Sequence, residues 1–190
     1  MRLAALLLLL GLAPLGALAE PSPAPCATTG LSVMLVRHAE KQPTGEDPAL
    51  SPAGEARARA LATTLGDACI AHIHSSDYRR TRDTAAPLAK ALGRKVAIYD
   101  VDDLPALKAA LIATGGRHLV VGHSDTTPEL VRLLGGDAGS AIDEATEYDR
   151  LYMVTVDERG VVTTTLLRYG AASASRSGVS PPSSASPASG

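Results

Sequence analysis

The chain has no phenylalanine, no tryptophan and only five tyrosines. A core must therefore be built from Leu, Val, Ile and Ala. Only two cysteines occur, Cys26 and Cys69, so at most one internal disulfide is possible. No charge of one sign dominates. Lys and Arg number 18 against 20 Asp and Glu, for a net charge of -2 and a pI near 6.2. That balance speaks against a nucleic-acid surface or a polybasic membrane patch, and any positive field must be local. The longest apolar stretch, Leu3 to Leu18, is shorter than the ~20 residues a membrane-crossing helix needs, so no stable membrane insertion is expected. No internal repeat is visible.

What is present begins with a leader-like segment. Met1-Arg2 precedes that apolar stretch, which closes on the small-x-small pattern Ala17-Leu18-Ala19. This reads as a signal peptide over residues 1–19 with cleavage near Ala19, giving an exported, periplasmic or secreted protein. Pro23-Ala24-Pro25 before Cys26 is unlike the Leu-rich box that precedes a lipidated cysteine. Residues 20–30 read as a linker. Residues 171–190 are almost all Ala, Ser, Pro and Gly, too poor in apolar surface to fold, and are expected to be disordered. Between them lies one domain, residues 31–170, large enough for a real core. Export makes a disulfide permissible. Cys26 and Cys69 each precede a predicted strand by a few residues, so a bridge tying the N-terminal arm to the sheet is expected, with two free buried thiols as the alternative.

Turn and cap signals cut this domain into alternating strands and helices. Leu31 to Val36 is a branched apolar run typical of a buried strand. Ser51-Pro52 supplies an N-cap and first-turn proline for a helix with Ala56, Ala60, Leu61 and Leu65 on one face. Ile70 to Ser75 reads as a strand, and a helix from Asp77 to Gly93 is expected to kink at Pro87. A strand at Val96 to Tyr99 and a helix at Leu104 to Ala113 follow. Next come the strand Arg117 to Gly122 and a short helix capped at Thr127-Pro128. Two last strands, Leu151 to Val156 and Val161 to Leu167, form a hairpin through Asp157 to Gly160. The alternation predicts an α/β fold, a three-layer αβα sandwich around a mainly parallel central sheet.

In such sheets ligands bind beyond the carboxyl ends of the strands. Three predicted strand ends carry polar residues: Arg37-His38, then Ser75-Ser76-Asp77-Tyr78-Arg79-Arg80, then Gly122-His123-Ser124-Asp125. Two imidazoles and at least two guanidinium groups thus converge on one rim near helix N-termini, which favour anions. A phosphoryl group fits that set.

Arg37-His38-Ala39-Glu40, Ser75-Ser76-Asp77-Tyr78-Arg79-Arg80-Thr81 with Thr84-Ala85, and Val121-Gly122-His123-Ser124 resemble the signature blocks of the histidine phosphatase (phosphoglycerate mutase-like) superfamily. The likeness runs from about Leu31 to Leu167. It implies His38 as a nucleophile taking the phosphoryl group, and Arg37 and Arg80 as clamps on its oxygens. His123 completes the pocket, with Ser124 beside it among the substrate-binding residues, and neither metal nor cofactor is required. It also implies a small phosphorylated substrate, a phosphomonoester or phosphoramidate. Arg80 precedes a small residue, as the family's phosphate-binding Arg does; Arg79 is expected to be solvated or at the substrate rim. The Glu that many members use as proton donor has no counterpart in Asp100-Val101-Asp102-Asp103-Leu104, leaving Asp103, Asp102 or Asp125 for that role. Two other readings remain: a phosphate- or phosphosugar-binding protein that has lost turnover, and, less well matched after the first block, a phosphomutase.

His72 and His74 alternate onto one strand face, which is half a metal site without a matching partner pair. His118 is expected at the surface, and Glu40-Lys41 as a loop-borne charge pair.

Overall fold

A computed structural model describes Cys26 and residues 30–173. The expected signal segment over 1–19, most of the expected linker over 20–30 and residues 174–190 lie outside that description.

Six strands form one sheet: β1 (Leu31–Arg37), β2 (His72–Ser76), β3 (Val96–Tyr99), β4 (Gly116–Gly122), β5 (Arg150–Val156) and β6 (Val162–Arg168). Their spatial order is β3-β2-β4-β1-β5-β6. The first four in that order pair in parallel, and β5 and β6 add as an antiparallel edge. Helices α1 (Pro52–Leu65), α2 (Arg79–Leu92), α3 (Leu104–Thr114) and α4 (Thr126–Leu133) fill the connections.

Alternation along β1 decides the layers, because successive side chains leave opposite faces. Leu31, Val33 and Leu35 join Leu104, Leu107, Leu111, Leu130 and Val131, the α3 and α4 side. Met34 and Val36 join Leu61, Leu65, Ala85 and Leu88, the α1 and α2 side. Strand β1 is therefore buried on both faces, and the fold is the expected αβα sandwich. Cys26 and Cys69 form a disulfide across a separation of 43 residues, a closure that restricts the unfolded chain by about 4 kcal/mol.

Several local expectations are revised. The buried face of α1 is Gly54, Arg57, Ala58, Leu61 and Leu65, and Ala56 is exposed. The face turns because Arg57 is not a surface cation. It is 4% exposed, reaches the Glu40 carboxylate at 2.7 Å, and donates to the carbonyl of Tyr169 at 2.9 Å. Glu40 thus anchors the loop after β1 to α1 and to the end of the sheet, rather than forming a solvent-facing pair with Lys41. Helix α2 starts at Arg79 with Tyr78 as its cap residue and continues through Pro87 as one element. Helix α4 is capped by Asp125, whose carboxylate accepts from Thr126 N at 2.7 Å, and Thr127-Pro128 fall within its first turn. A proline is tolerated there because first-turn N–H groups have no intrahelical partner.

His118 is 1% exposed, not at the surface. Its Nδ1 lies 3.0 Å from His74 Nε2 and its Nε2 lies 2.7 Å from the Gly115 carbonyl. The carbonyl can only accept, so Nε2 carries the proton and Nδ1 accepts from His74. His72 stacks on the same ring at 4.7 Å. Ordered packing also passes residue 170. Ser173 is buried, its Oγ accepts from Tyr148 N at 2.9 Å and its N donates to Asp149 at 3.2 Å. Ser173, expected within the tail over 171–190, is therefore packed against the domain, and residues 174–190 lie outside the described residues.

Gly54 supports the site from below. A Cβ there would fall 2.1 Å from the carbonyl oxygen of Glu40, a backbone atom two residues past His38. Gly54→Ala should therefore cost more than about 2 kcal/mol, read as a lowered urea midpoint. An unchanged midpoint would show that α1 can retreat without cost.

Candidate active site

Parallel pairing of β1 with β4 sets Arg37 against Gly122, so the next residues of each strand, His38 and His123, emerge side by side. His38 N donates to the Gly122 carbonyl at 2.8 Å, and the two rings stand edge to face with centroids 5.4 Å apart. Gly122 has no side chain to spare: a Cβ would meet Thr126 Oγ1, Thr127 Oγ1 and Tyr99 OH at 2.9 to 3.0 Å. Strand β2, next to β4, ends in Ser76, and the first turn of α2 brings in Arg80.

His38 is 4% exposed and its Nδ1 lies 2.7 Å from the carbonyl of Ala39. That oxygen can only accept, so Nδ1 carries the proton and Nε2 keeps the lone pair. Burial, then the charges of Arg37, His123 and Arg80, push its pKa down to about 3, against the opposing pull of the Ala39 bond. His38 is thus a neutral imidazole with a free nitrogen. The loop holding it is itself fixed, since Ala39 N donates to Thr84 Oγ1 at 2.9 Å.

Arg80 Nη2 approaches His123 Nδ1 to 3.5 Å, and Ser76 Oγ lies 2.9 Å from His123 Nε2. A guanidinium only donates, which makes Nδ1 the acceptor and Nε2 the protonated nitrogen. From there the chain runs from Nε2–H to Ser76 Oγ, and from Ser76 to Thr81 Oγ1 at 2.9 Å. Burial, reinforced by Arg80, pushes the His123 pKa down to about 4.

The two arginines differ from expectation in one respect. Arg37 is 2% exposed, and its terminal nitrogens donate to the backbone carbonyls of Asp143 (3.2 Å), Glu147 (2.9 Å) and Glu144 (2.7 Å). The Tyr148 ring packs against it at 4.0 Å. Arg37 therefore grips the segment before β5 with three of its five N–H donors, which leaves Nε and one N–H of Nη2 outside those bonds. Arg80 packs on Tyr78 at 4.3 Å. In both arginines Nε is buried without a hydrogen-bond partner. Buried donors are normally satisfied; two orphaned guanidinium donors beside two neutral imidazoles suit a bound oxyanion.

A cavity of about 420 Å³ opens here, with His38, Arg80, His123, Ser124, Asp102 and Asp125 in its walls. Asp103 is not in the wall. Its carboxylate caps α3, accepting from Ala106 N at 3.0 Å, because a helix N-terminus is the nearest source of unsatisfied N–H groups. Arg79 stays on the outside, 3.5 Å from Asp83. Lys41, Tyr78 and Glu144 also line the cavity. Glu144 escaped sequence reasoning entirely, since it lies in a loop 20 residues past Ser124, the end of the last signature block, and only the fold returns it to the rim. Among the described residues no group of three or more His, Cys, Asp or Glu is arranged to hold a metal ion, and no helix is long and apolar enough to cross a membrane.

The family model of the histidine phosphatase superfamily (branch 1) matches residues 33–105, which contain the first two of the three blocks. Solved structures extend the likeness. The protein histidine phosphatase SixA complexed with tungstate superposes with a TM-score of 0.59 at 19% identity, over 73% of this chain and 97% of its own. A mycobacterial glucosyl-3-phosphoglycerate phosphatase with inorganic phosphate gives 0.57 at 18% identity, over 75% and 98%. The chain has the histidine phosphatase fold. The family model covers less than half of the chain, and together with the structural neighbours it speaks for this fold. No curated protein shows significant sequence similarity to the chain. At these identities the structures speak for the fold, and the site must be argued from its own atoms. In the histidine phosphatase fold of this chain, those atoms are the two imidazoles and two arginines at the ends of β1, β4 and β2.

Proposed function

We propose that this protein is a phosphatase that hydrolyses a phosphomonoester or phosphoramidate through a phosphohistidine on Nε2 of His38. The observation that carries this reading is the state of His38: neutral, with Nδ1–H bound to the Ala39 carbonyl at 2.7 Å and Nε2 unprotonated in the cavity wall. Attack by Nε2 builds positive charge on the ring, and the bond to Ala39 is placed to stabilise it. Arg80, the Nε of Arg37 and His123 would hold the phosphoryl oxygens as charge spreads over them, with Ser124 beside them. A bound dianion would also draw a proton onto His123, giving it a second donor. Water then cleaves the N–P bond.

SixA with tungstate and the mycobacterial enzyme with phosphate both hold tetrahedral oxyanions, the kind of ligand this pocket suits. The substrates their names give, a protein histidine and a sugar phosphate derivative, leave both leaving-group classes open here. We also propose that the protein is exported. The leader-like sequence supports this, and so does the Cys26–Cys69 disulfide, since such bonds persist in oxidising compartments.

Rapid quenching of a labelled phosphate ester on the enzyme, with chelator present, tests the route. The expected product is a phosphoenzyme that survives alkali and is lost in acid, as an N–P bond is. Stoichiometric phosphate binding with no labelled protein and no released alcohol would favour the binding-protein reading instead.

A further inference from the structure

Resting on the phosphatase reading above, we propose that Glu144 is the acid that protonates the leaving oxygen. Four carboxylates stand near the cavity mouth, and their other commitments separate them. Asp103 is spent on capping α3 (Ala106 N, 3.0 Å) and Asp125 on capping α4 (Thr126 N, 2.7 Å). Protonating either one removes a cap, at about 1 kcal/mol. Asp102 is in the wall, but it sits in the turn before α3, where its backbone N donates to Asp100 Oδ1 at 3.0 Å, and among the described residues no hydrogen bond ties that turn to Arg37 or His38. Glu144 is in the wall as well, and its carboxylate is within range of Arg37.

The main chain places it there. The carbonyl of Glu144 accepts from Arg37 Nη2 at 2.7 Å, flanked by the Arg37 bonds to Asp143 O and Glu147 O. The side chain therefore starts from a backbone held by the residue next to the nucleophile. Among the described residues no hydrogen bond or ion pair occupies its carboxylate. The neighbouring Asp143 accepts from Ala145 N at 2.8 Å and is not in the wall.

The step balances as follows. His38 Nε2 forms the N–P bond while the P–O bond breaks and its electron pair stays on the leaving oxygen. The Glu144 carboxyl proton moves to that oxygen, releasing the alcohol and leaving a carboxylate. In the second step the carboxylate takes a proton from the water that attacks phosphorus. The N–P pair returns to Nε2, phosphate departs, and Glu144 is again protonated.

The test compares a substrate with a poor leaving group, glycerol phosphate, with a good one, p-nitrophenyl phosphate. An acid is needed mainly for the poor one. Glu144→Gln should lower kcat/KM on glycerol phosphate by about 10²-fold or more, and on p-nitrophenyl phosphate by a tenth of that factor or less. Asp102→Asn should change both substrates by the same factor. Equal losses on the two substrates in Glu144→Gln, or a leaving-group-dependent loss in Asp102→Asn, would overturn the assignment. Turnover that survives His38→Ala is a separate outcome and strikes the phosphohistidine route, not the acid. Because Glu144 is exposed, the variant should fold, and an unchanged urea midpoint checks that it does.

Discussion

His38→Ala should lower phosphate release from p-nitrophenyl phosphate by on the order of 10³-fold or more, the scale on which enzymes lose turnover with their nucleophile. The reason is geometric. No other nitrogen at this rim is both neutral and free: His123 has one nitrogen on Ser76 and the other facing Arg80. The fold should survive the change, because the backbone N of residue 38 keeps its 2.8 Å bond to the Gly122 carbonyl. Arg80→Ala and His123→Ala should fall less steeply, since each removes a contact to charge and leaves the nucleophile in place. Equal phosphate release from wild type and His38→Ala would end the covalent mechanism. With the free-enzyme pKa near 3, His38 should add no acid limb to the kcat/KM profile around its ordinary 6.5.

The same buried histidines should make the protein acid-labile. Burial is the main cause that lowers His38 to about 3, and His74 and His123 to about 4. In the unfolded chain each takes up a proton near pH 6.5, while the folded form stays neutral until pH 3 to 4. The unfolded state therefore binds more protons across that window, and stability falls as the pH drops below 6.5. Each fully counted histidine contributes about 1.4 kcal/mol per pH unit. Halving the share of the half-buried His74 and His123 for solvent screening still leaves a loss of about 4 kcal/mol by pH 5. That is a large part of a typical domain's stability of about 5–15 kcal/mol.

Glu147 pulls the same way at lower pH. Burial alone would raise its pKa, but hydrogen bonds from Arg150 and Arg168 win and hold it at about 2. Its contribution is complete above its ordinary 4.5 and is lost between there and 2. Urea midpoints at pH 7, 6 and 5 should fall progressively, and His74→Gln should flatten the slope by up to one proton. A midpoint independent of pH in that range would refute the buried, neutral state of these rings.

Much of this molecule was readable before any coordinates. Strand β1, α1 with its Ser51 cap, and the parallel order of the sheet follow from local rules. A both-sides-apolar run must be covered twice, and Ser-Pro starts a helix. The polar strand ends Arg37-His38, Ser76 and Gly122-His123 stood out because they break apolar runs where sheets of this kind bind ligands. Those elements are determined by residues close in sequence.

The rest depended on contacts between distant segments. Periodicity placed Ala56 inside and had no means to know that Glu40 waits to pair with Arg57, 17 residues away. His118 looked like a surface residue because its partners, His74 and the Gly115 carbonyl, are set by strand register. Arg37 read as a simple clamp, since the loop carbonyls that hold it are over 100 residues downstream. Glu144 carries no signature at all. By itself the sequence determined the sheet, its layers and the kind of chemistry at its rim, because hydrophobic alternation and strand-end polarity are local properties. Only the tertiary structure decided which nitrogen of His38 is free, what Arg37 holds and that Glu144 joins Asp102 and Asp125 in the cavity wall, because hydrogen bonding and burial belong to the assembled neighbours and not to the residue.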